Sequence, residues 1–359
     1  MKKAATTASG QYAKMQKGPT KQHIIPKMYL KRFAYKKQAW VVDFHSDSEP
    51  YKTSLGNILC LKDFYTVATK LENKDYSIEK KFAEIESDAD HVINSILNKM
   101  KLPKGEKKQK LAVLIASLYV RGPRHRQVIK EILDSFVKNF RMRNSIFKAS
   151  YEQYLSKVEN PIDEQMAKEV LEKYEAQTGI PNEFYIHHML SLWCLLSELF
   201  AQLRWTLYWA DPLGSEARFV TGDFPFAVEN KQNGNFEYPE LLFANRFIRI
   251  WFPLSSMVCL TMEYNTEETI QPISSSNFIP IINSQIARHT QRYIISKNKS
   301  IHWFKKDIIY TSATKYQEEF SPSKITQPII EMTAPNGRFV PARPAFDWNK
   351  LRGRRQKEE

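Results

Sequence analysis

A histidine, several carboxylates and a cluster of arginines stand at separated points of this chain. Together they carry the groups that phosphodiester chemistry needs. His23 lies three residues before Pro26. An imidazole there could take a proton from water or bind a metal, although an isolated histidine at a turn also serves to cap it. Glu79, Glu86 and Asp90 are spaced by seven and four residues, two helical turns and one, so with Ala83 they form a stripe along one face. Carboxylates placed this way can hold Mg²⁺ or Mn²⁺ or move protons. Glu84 and Asp88 occupy the same segment, so a solvated acidic face accounts for the stripe equally well.

Arg121-Gly122-Pro123-Arg124-His125-Arg126 follows an apolar run, and Lys130 lies one turn further on. Guanidinium groups clustered like this grip phosphate in bidentate fashion. Asp223 ends the apolar stretch Phe219-Val220-Thr221-Gly222 and precedes Phe224-Pro225. A carboxylate at such a turn is either a site residue or a group that binds backbone N–H donors. His187 and His188 are adjacent, so on a helix they point about 100° apart and cannot share one metal. Trp193, Trp205 and Trp209 read as core. No phosphate-cradling glycine loop, no GxGxxG and no HExxH occurs, so no nucleotide cofactor is expected.

The elements that must position these residues alternate in type. Residues 1–21 are rich in Lys, Ala, Thr and Gly and read as a disordered basic tail. Pro26 suits a first helical turn packed by Tyr29, Leu30 and Phe33. Ala39–Phe44 and Phe64–Val67 have strand composition. Ile78, Phe82, Ile85, Ala89, Val92, Ile93 and Ile96 recur at steps of three and four, which predicts an amphipathic helix. Leu111–Val120 predicts a buried helix, Arg124–Lys148 a long basic one, and Asn182–Trp209 a central core helix. Phe247–Phe252 and Met257–Met262 predict a strand pair, and Ile279–Ile295 one more helix. Residues 321–359 read as an irregular basic tail. The expected fold is α+β: N-terminal strands, a large helical middle over residues 76–209 and a C-terminal β-rich section, packed as one domain over residues 22–320.

The net charge of +14 is unevenly placed. Residues 1–22 carry five lysines and no acid, and residues 121–150 carry a local +6. Such concentration is the footprint expected of a protein that meets nucleic-acid phosphates. No run of eighteen apolar residues occurs, so no membrane partner is expected. The basic N-terminus has no apolar signal core, and the three cysteines form neither a disulfide framework nor zinc spacing. A reduced, cytoplasmic setting is therefore expected. Nothing in the composition sets the oligomeric state.

The stretch from His23 to Phe33 reads His-x-x-Pro-x-x-Tyr-Leu-x-x-Phe. It resembles the opening of a family known mainly from prokaryotes and catalogued only as domain of unknown function number 4238. Asp63-Phe64-Tyr65-Thr66 and the Glu79/Glu86 helix resemble its next markers. Arg121-Gly-Pro123 is similar to an Arg-Thr-Pro turn, and Thr221-Gly-Asp223-Phe-Pro225 to a Thr-Ser-Asp-Asn-Pro segment. Pro253-Leu254-Ser255 and Asn283 fit later markers. Gly122 and Phe224 depart from the pattern, and the resemblance implies no activity.

The matched polar residues all stand at element ends, as in a site assembled from separated segments. The expectation is that they converge into a metal-dependent nuclease or related phosphodiester-processing protein, suited to prokaryotic defence. His23, Glu86, Asp223 and Arg121 would be catalytic, Arg124, Arg126 and Lys130 would bind phosphate, and Glu79, Glu86 and Asp223 would hold the Mg²⁺ or Mn²⁺. The alternative is a non-catalytic nucleic-acid or protein-binding module whose polar residues lock its own loops. A small-molecule enzyme with a deep pocket is a third reading.

Overall fold

The computed structural model describes residues 21–68, 74–131, 182–211, 216–237, 246–264 and 266–320. Residues 1–20 of the expected N-terminal tail, the whole of the C-terminal one and most of the expected basic helix lie outside these residues, while Lys21 belongs to a strand. The fold is α+β, with strands at both ends and helices between them.

Two sheets carry the body. The larger has the order β10-β9-β11-β12-β7-β13, built from β7 (Arg204–Trp209), β9 (Ala227–Asn230), β10 (Phe236–Glu237), β11 (Ile248–Pro253), β12 (Val258–Glu263) and β13 (Thr269–Pro272). Neighbours run antiparallel except β13, which lies parallel to β7. The second has the order β3-β2-β14-β8, from β2 (Gln38–Asp43), β3 (Tyr51–Ser54), β8 (Thr221–Gly222) and β14 (Tyr293–Ser296). Three two-stranded ribbons complete the strands: β1 (Lys21–His23) with β4 (Cys60–Lys62), β5 (Val67–Ala68) with β6 (Lys74–Asp75), and β15 (Trp303–Lys305) with β16 (Ile308–Tyr310).

The helices follow the apolar spacing. α1 (Lys27–Leu30) starts directly after Pro26 and buries Tyr29 and Leu30, and Phe33 is buried in the turn that follows. The Tyr29 hydroxyl donates to the Pro253 carbonyl at 2.7 Å and meets Thr221 Oγ1 at 3.0 Å, tying the opening motif to both sheets. α2 (Ser77–Lys99) buries Phe82, Ala89, Val92, Ile93 and Ile96, and ends on left-handed Met100. α3 (Gly105–Val120) is buried continuously from Leu114 to Val120. α4 (Asn182–Gln202) is long and apolar enough to cross a membrane by length and composition. Its Trp193 nevertheless donates to the Val113 carbonyl at 2.8 Å, and its Phe200 packs edge-on against Tyr119, as a core helix does. α5 (Phe278–His289) and α6 (Ala313–Glu319) close the fold.

Three expected elements differ. The helix expected over Asn182–Trp209 stops at Gln202, and Arg204–Trp209 forms β7. In that segment Trp205 and Leu207 alternate with Arg204, Thr206 and Tyr208, a period-two pattern hidden inside an apolar run. The helix expected over Ile279–Ile295 ends at His289, and Thr290 turns the chain into β14. The strand expected at Phe64–Val67 is mostly a turn, in which the Tyr65 backbone N–H donates to buried Gln22 Oε1 at 2.6 Å.

Two glycines permit close approach. A Cβ on Gly222 would sit 2.5 Å from Thr290 Oγ1 and 2.8 Å from the Tyr293 carbonyl, so only hydrogen fits where β8 meets β14. A Cβ on Gly122 would lie 3.2 Å from the Asp223 carbonyl, which brings the end of α3 against the turn after β8.

Candidate functional site

Arg121 is the hub around which the polar residues gather. It caps the buried α3, its backbone N–H donating to the Ser117 carbonyl. Its side chain is wholly buried and reaches across three segments. Nε donates to the Ile24 carbonyl at 2.7 Å, and Nη1 pairs with Glu86 Oε1 at 2.9 Å. The guanidinium lies 4.7 Å from the Phe82 ring centroid, and the Tyr65 hydroxyl donates to the Arg121 carbonyl at 2.6 Å. Nη2, shielded from solvent, has no hydrogen-bond partner among the described residues. A buried donor left open in this way is a place where a ligand oxygen or a water would fit.

Glu79 and Glu86 share one face of α2, as their spacing predicts. Burial pushes the Glu79 carboxyl up, Arg121 pulls it down, and the nearby Glu86 adds to the rise. The two carboxylates are thus unequal: Glu86 is committed to the Arg121 cation, and Glu79 is biased toward keeping a proton.

His23 is half-buried one residue before the Arg121-bound Ile24 carbonyl. Burial lowers its pKa below the ordinary histidine value, and Lys27 and Arg121 add to the fall while a hydrogen bond with the Leu55 backbone opposes it. Nε2 lies 3.0 Å from Cys60 Sγ. The two residues face each other in the β1–β4 ribbon, where His23 is paired directly with Cys60. Cys60 was not legible as a site residue, because it stands 37 positions from His23 and in no motif.

Asp223 takes a different role from the one expected. It is buried, and its two oxygens accept three backbone N–H groups: Oδ1 from Gln291 at 2.8 Å, and Oδ2 from Arg292 at 2.7 Å and Tyr293 at 3.0 Å. Burial pushes the carboxyl up, against the downward pull of those N–H donors and of Arg124. This carboxylate clamps the loop between α5 and β14, the backbone-binding alternative for a residue at such a turn. Among the described residues no three His, Cys, Asp or Glu side chains gather as a metal site.

Two of the three groups expected to grip phosphate make contacts within the protein. Arg124 is buried, donates to the His289 carbonyl at 3.2 Å and lies over the Phe224 ring. Arg126 lies 3.6 Å from the Phe64 ring centroid and donates to the Phe64 carbonyl at 2.5 Å. Lys130 is exposed on the helical run 123–131. Between these arginines, burial drives the His125 pKa down to about 3, with His188 and Arg126 contributing. Buried His289 is lowered well below the ordinary value, first by burial and then by Arg124 and Arg288.

Both histidines are neutral in the fold and take up protons near pH 6.5 once unfolded. Their stabilisation is therefore present above that pH and lost as pH falls toward the folded value. Each should contribute a slope of about 1.4 kcal/mol per pH unit on the acid side. Urea unfolding at pH 7.5, 6 and 5 should show falling stability, and His125→Gln should flatten the dependence by about one proton.

His23, Glu79, Glu86 and Arg121 thus come together within electrostatic reach, joined by the unforeseen Cys60. The Asp223 backbone carbonyl approaches the end of α3 at Gly122. When the chain is compared with known proteins, the family described as "Protein of unknown function (DUF4238)" matches residues 21–300. No curated protein and no solved structure matches it.

Proposed function

We propose, from the premise that the chain belongs to the DUF4238 family, that it hydrolyses phosphodiester bonds in nucleic acid at the Arg121 cluster. The observation carrying this reading is the buried Arg121 guanidinium whose Nη2 has no hydrogen-bond partner among the described residues, with His23, Glu79 and Glu86 around it. A phosphate oxygen at Nη2 would complete the donor set and receive a charge-assisted hydrogen bond. His23, kept neutral by burial, suits the removal of a proton from an attacking water. Glu79, biased toward its protonated form, suits delivery of a proton to the leaving oxygen, while Glu86 holds Arg121 in place. Two carboxylates whose surroundings push them apart divide acid and ion-pairing roles in this way. Mg²⁺ is commonly held by one or two carboxylates plus substrate phosphate; with Glu86 paired to Arg121, Glu79 is the carboxyl that would be drawn to it, as a ligand in place of the acid.

The direct test is incubation with single- and double-stranded DNA and RNA, with and without Mg²⁺ or Mn²⁺. Cleavage should fall by about 100-fold or more in His23→Ala and Glu79→Gln, as loss of a general base or acid does, with circular dichroism unchanged. Absence of cleavage on every substrate and metal would remove the enzymatic reading.

A second reading is supported by Asp223, Arg124 and Arg126, whose charged groups are all occupied by backbone carbonyls, N–H groups or rings. On that reading the protein is a non-catalytic nucleic-acid or protein-binding module, and the Arg121–Glu86 pair locks its loops. Binding of DNA or RNA in filter assays without cleavage, weakening steeply with salt, would favour it.

A further inference from the structure

The pairing of Cys60 with His23 supports chemistry that phosphodiester hydrolysis does not use. Cys60 Sγ lies 3.0 Å from His23 Nε2, within reach for proton transfer. The imidazole also has a hydrogen bond with the Leu55 backbone. In the tautomer that carries its hydrogen on Nδ1, Nε2 accepts the thiol proton, which the Ile58 carbonyl at 3.3 Å and the Gly56 carbonyl at 3.6 Å can also receive as a hydrogen bond. A thiol, a base in contact with it and a third group orienting the base make up the geometry of an activated nucleophile. The ribbon holds the pair in place: β1 and β4 set His23 and Cys60 directly opposite each other, and buried Gln22 bonds both Thr66 Oγ1 and the Tyr65 N–H.

The surroundings specify the charge of a partner. The charged groups acting on Cys60 are Lys27 and Lys21, and those acting on His23 are Lys27 and Arg121. Lys27 Nζ lies 3.8 Å from where a Gly56 Cβ would sit, and the Gly56 carbonyl is 3.6 Å from Cys60 Sγ. Independently, the wholly buried Arg121, bonded to the carbonyl next to His23, leaves Nη2 without a hydrogen-bond partner among the described residues. Lysines acting on the thiol, and Lys27 with Arg121 acting on the imidazole, suit an anionic electrophile.

We infer that Cys60 and His23 form a nucleophilic pair that accepts an acyl group from a negatively charged activated donor, such as an acyl phosphate. Sγ attacks the carbonyl carbon as the thiol proton passes to His23 Nε2. The bond from that carbon to the phosphate oxygen breaks, and the leaving phosphate takes the proton from the imidazolium. Water then attacks the thioester, its proton passing through Nε2 to the departing sulfur. Burial pushes the Cys60 thiol up and His23 down, so the pair rests as neutral thiol and neutral imidazole, and the thiolate forms only with help from the base. The pair shares His23 with the phosphodiester reading but calls on neither Glu79 nor Glu86.

Iodoacetate and iodoacetamide test this on the unmodified protein, because they alkylate thiols alike and differ in charge. Cys194, also half-buried but beside Glu198, is the internal reference. Peptide mass spectrometry at pH 7.5 should show Cys60 alkylated about tenfold faster than Cys194. The iodoacetate-to-iodoacetamide rate ratio should be higher at Cys60, and His23→Gln should slow Cys60 about tenfold without changing Cys194. Acetyl phosphate should place an acetyl group on Cys60. Equal rates at the two cysteines, a ratio no higher at Cys60, or indifference to His23→Gln would each overturn the inference. Because these readouts involve no nucleic acid and no metal, they can fail while nucleic-acid cleavage stands, and the reverse.

Discussion

Asp223→Ala should lower the free energy of unfolding by about 3–5 kcal/mol, since it strips three partly buried backbone N–H groups of their acceptor at roughly 1–3 kcal/mol each. The donors belong to Gln291, Arg292 and Tyr293, immediately before and within β14. The loss therefore reaches the four-stranded sheet as well as one turn. Asp223→Asn keeps the volume but turns one acceptor into an NH₂ donor facing an N–H group. It should cost about half as much, because the other oxygen still accepts. Urea unfolding measures both. If Asp223→Ala stays within about 0.5 kcal/mol of the parent, the expectation for an ordinary surface change, the clamp does not carry the loop.

Arg121→Met should be comparably severe, at about 3–5 kcal/mol, because removing one partner of a buried ion pair leaves the other uncompensated. The Ile24 carbonyl loses its donor as well. The reverse change, Glu86→Gln, should be milder: the Glu86 side chain keeps a quarter of its exposure, whereas Arg121 has none. Its amide oxygen can still accept from Nη1. Arg121→Lys should not rescue, since an ammonium cannot serve the Ile24 carbonyl and Glu86 in the same fork geometry. In a double-mutant cycle Arg121→Met and Glu86→Leu should couple by at least about 1 kcal/mol, the double variant recovering part of the loss. Strict additivity would mean that the pair contributes nothing to holding α2 against the end of α3.

How much of this was readable from the residues depends on whether the signal was local. α2 was legible because its apolar positions repeat at helical spacing, and the same spacing put Glu79 and Glu86 on one face. Arg121 was legible as the charged residue closing the apolar run Leu111–Val120, but its burial was not, since the expectation for it was contact with phosphate. The ends of α4 and α5 were not legible, because hydrophobicity continued past them into strands. Only tertiary pairing, β7 with β12 and β14 with β2, decides where each helix stops. At Asp223 the sequence posed a choice between a site residue and a backbone clamp, and the donors that settle its placement lie 68 to 70 residues away. The contact of His23 with Cys60 was illegible for the same reason, since strand register is a property of the fold and not of spacing.

The pairing of β2 with β14 joins Asp43 to Tyr293, about 250 residues apart in the chain. At 5–20 residues per second, a ribosome takes on the order of 10–50 s to make that distance. Throughout it the apolar strand carrying Val41 and Val42 has an open edge on the side its last partner will fill. A nascent chain in that condition is a natural client for chaperones, and a polypeptide released before residue 293 would keep the sticky edge permanently.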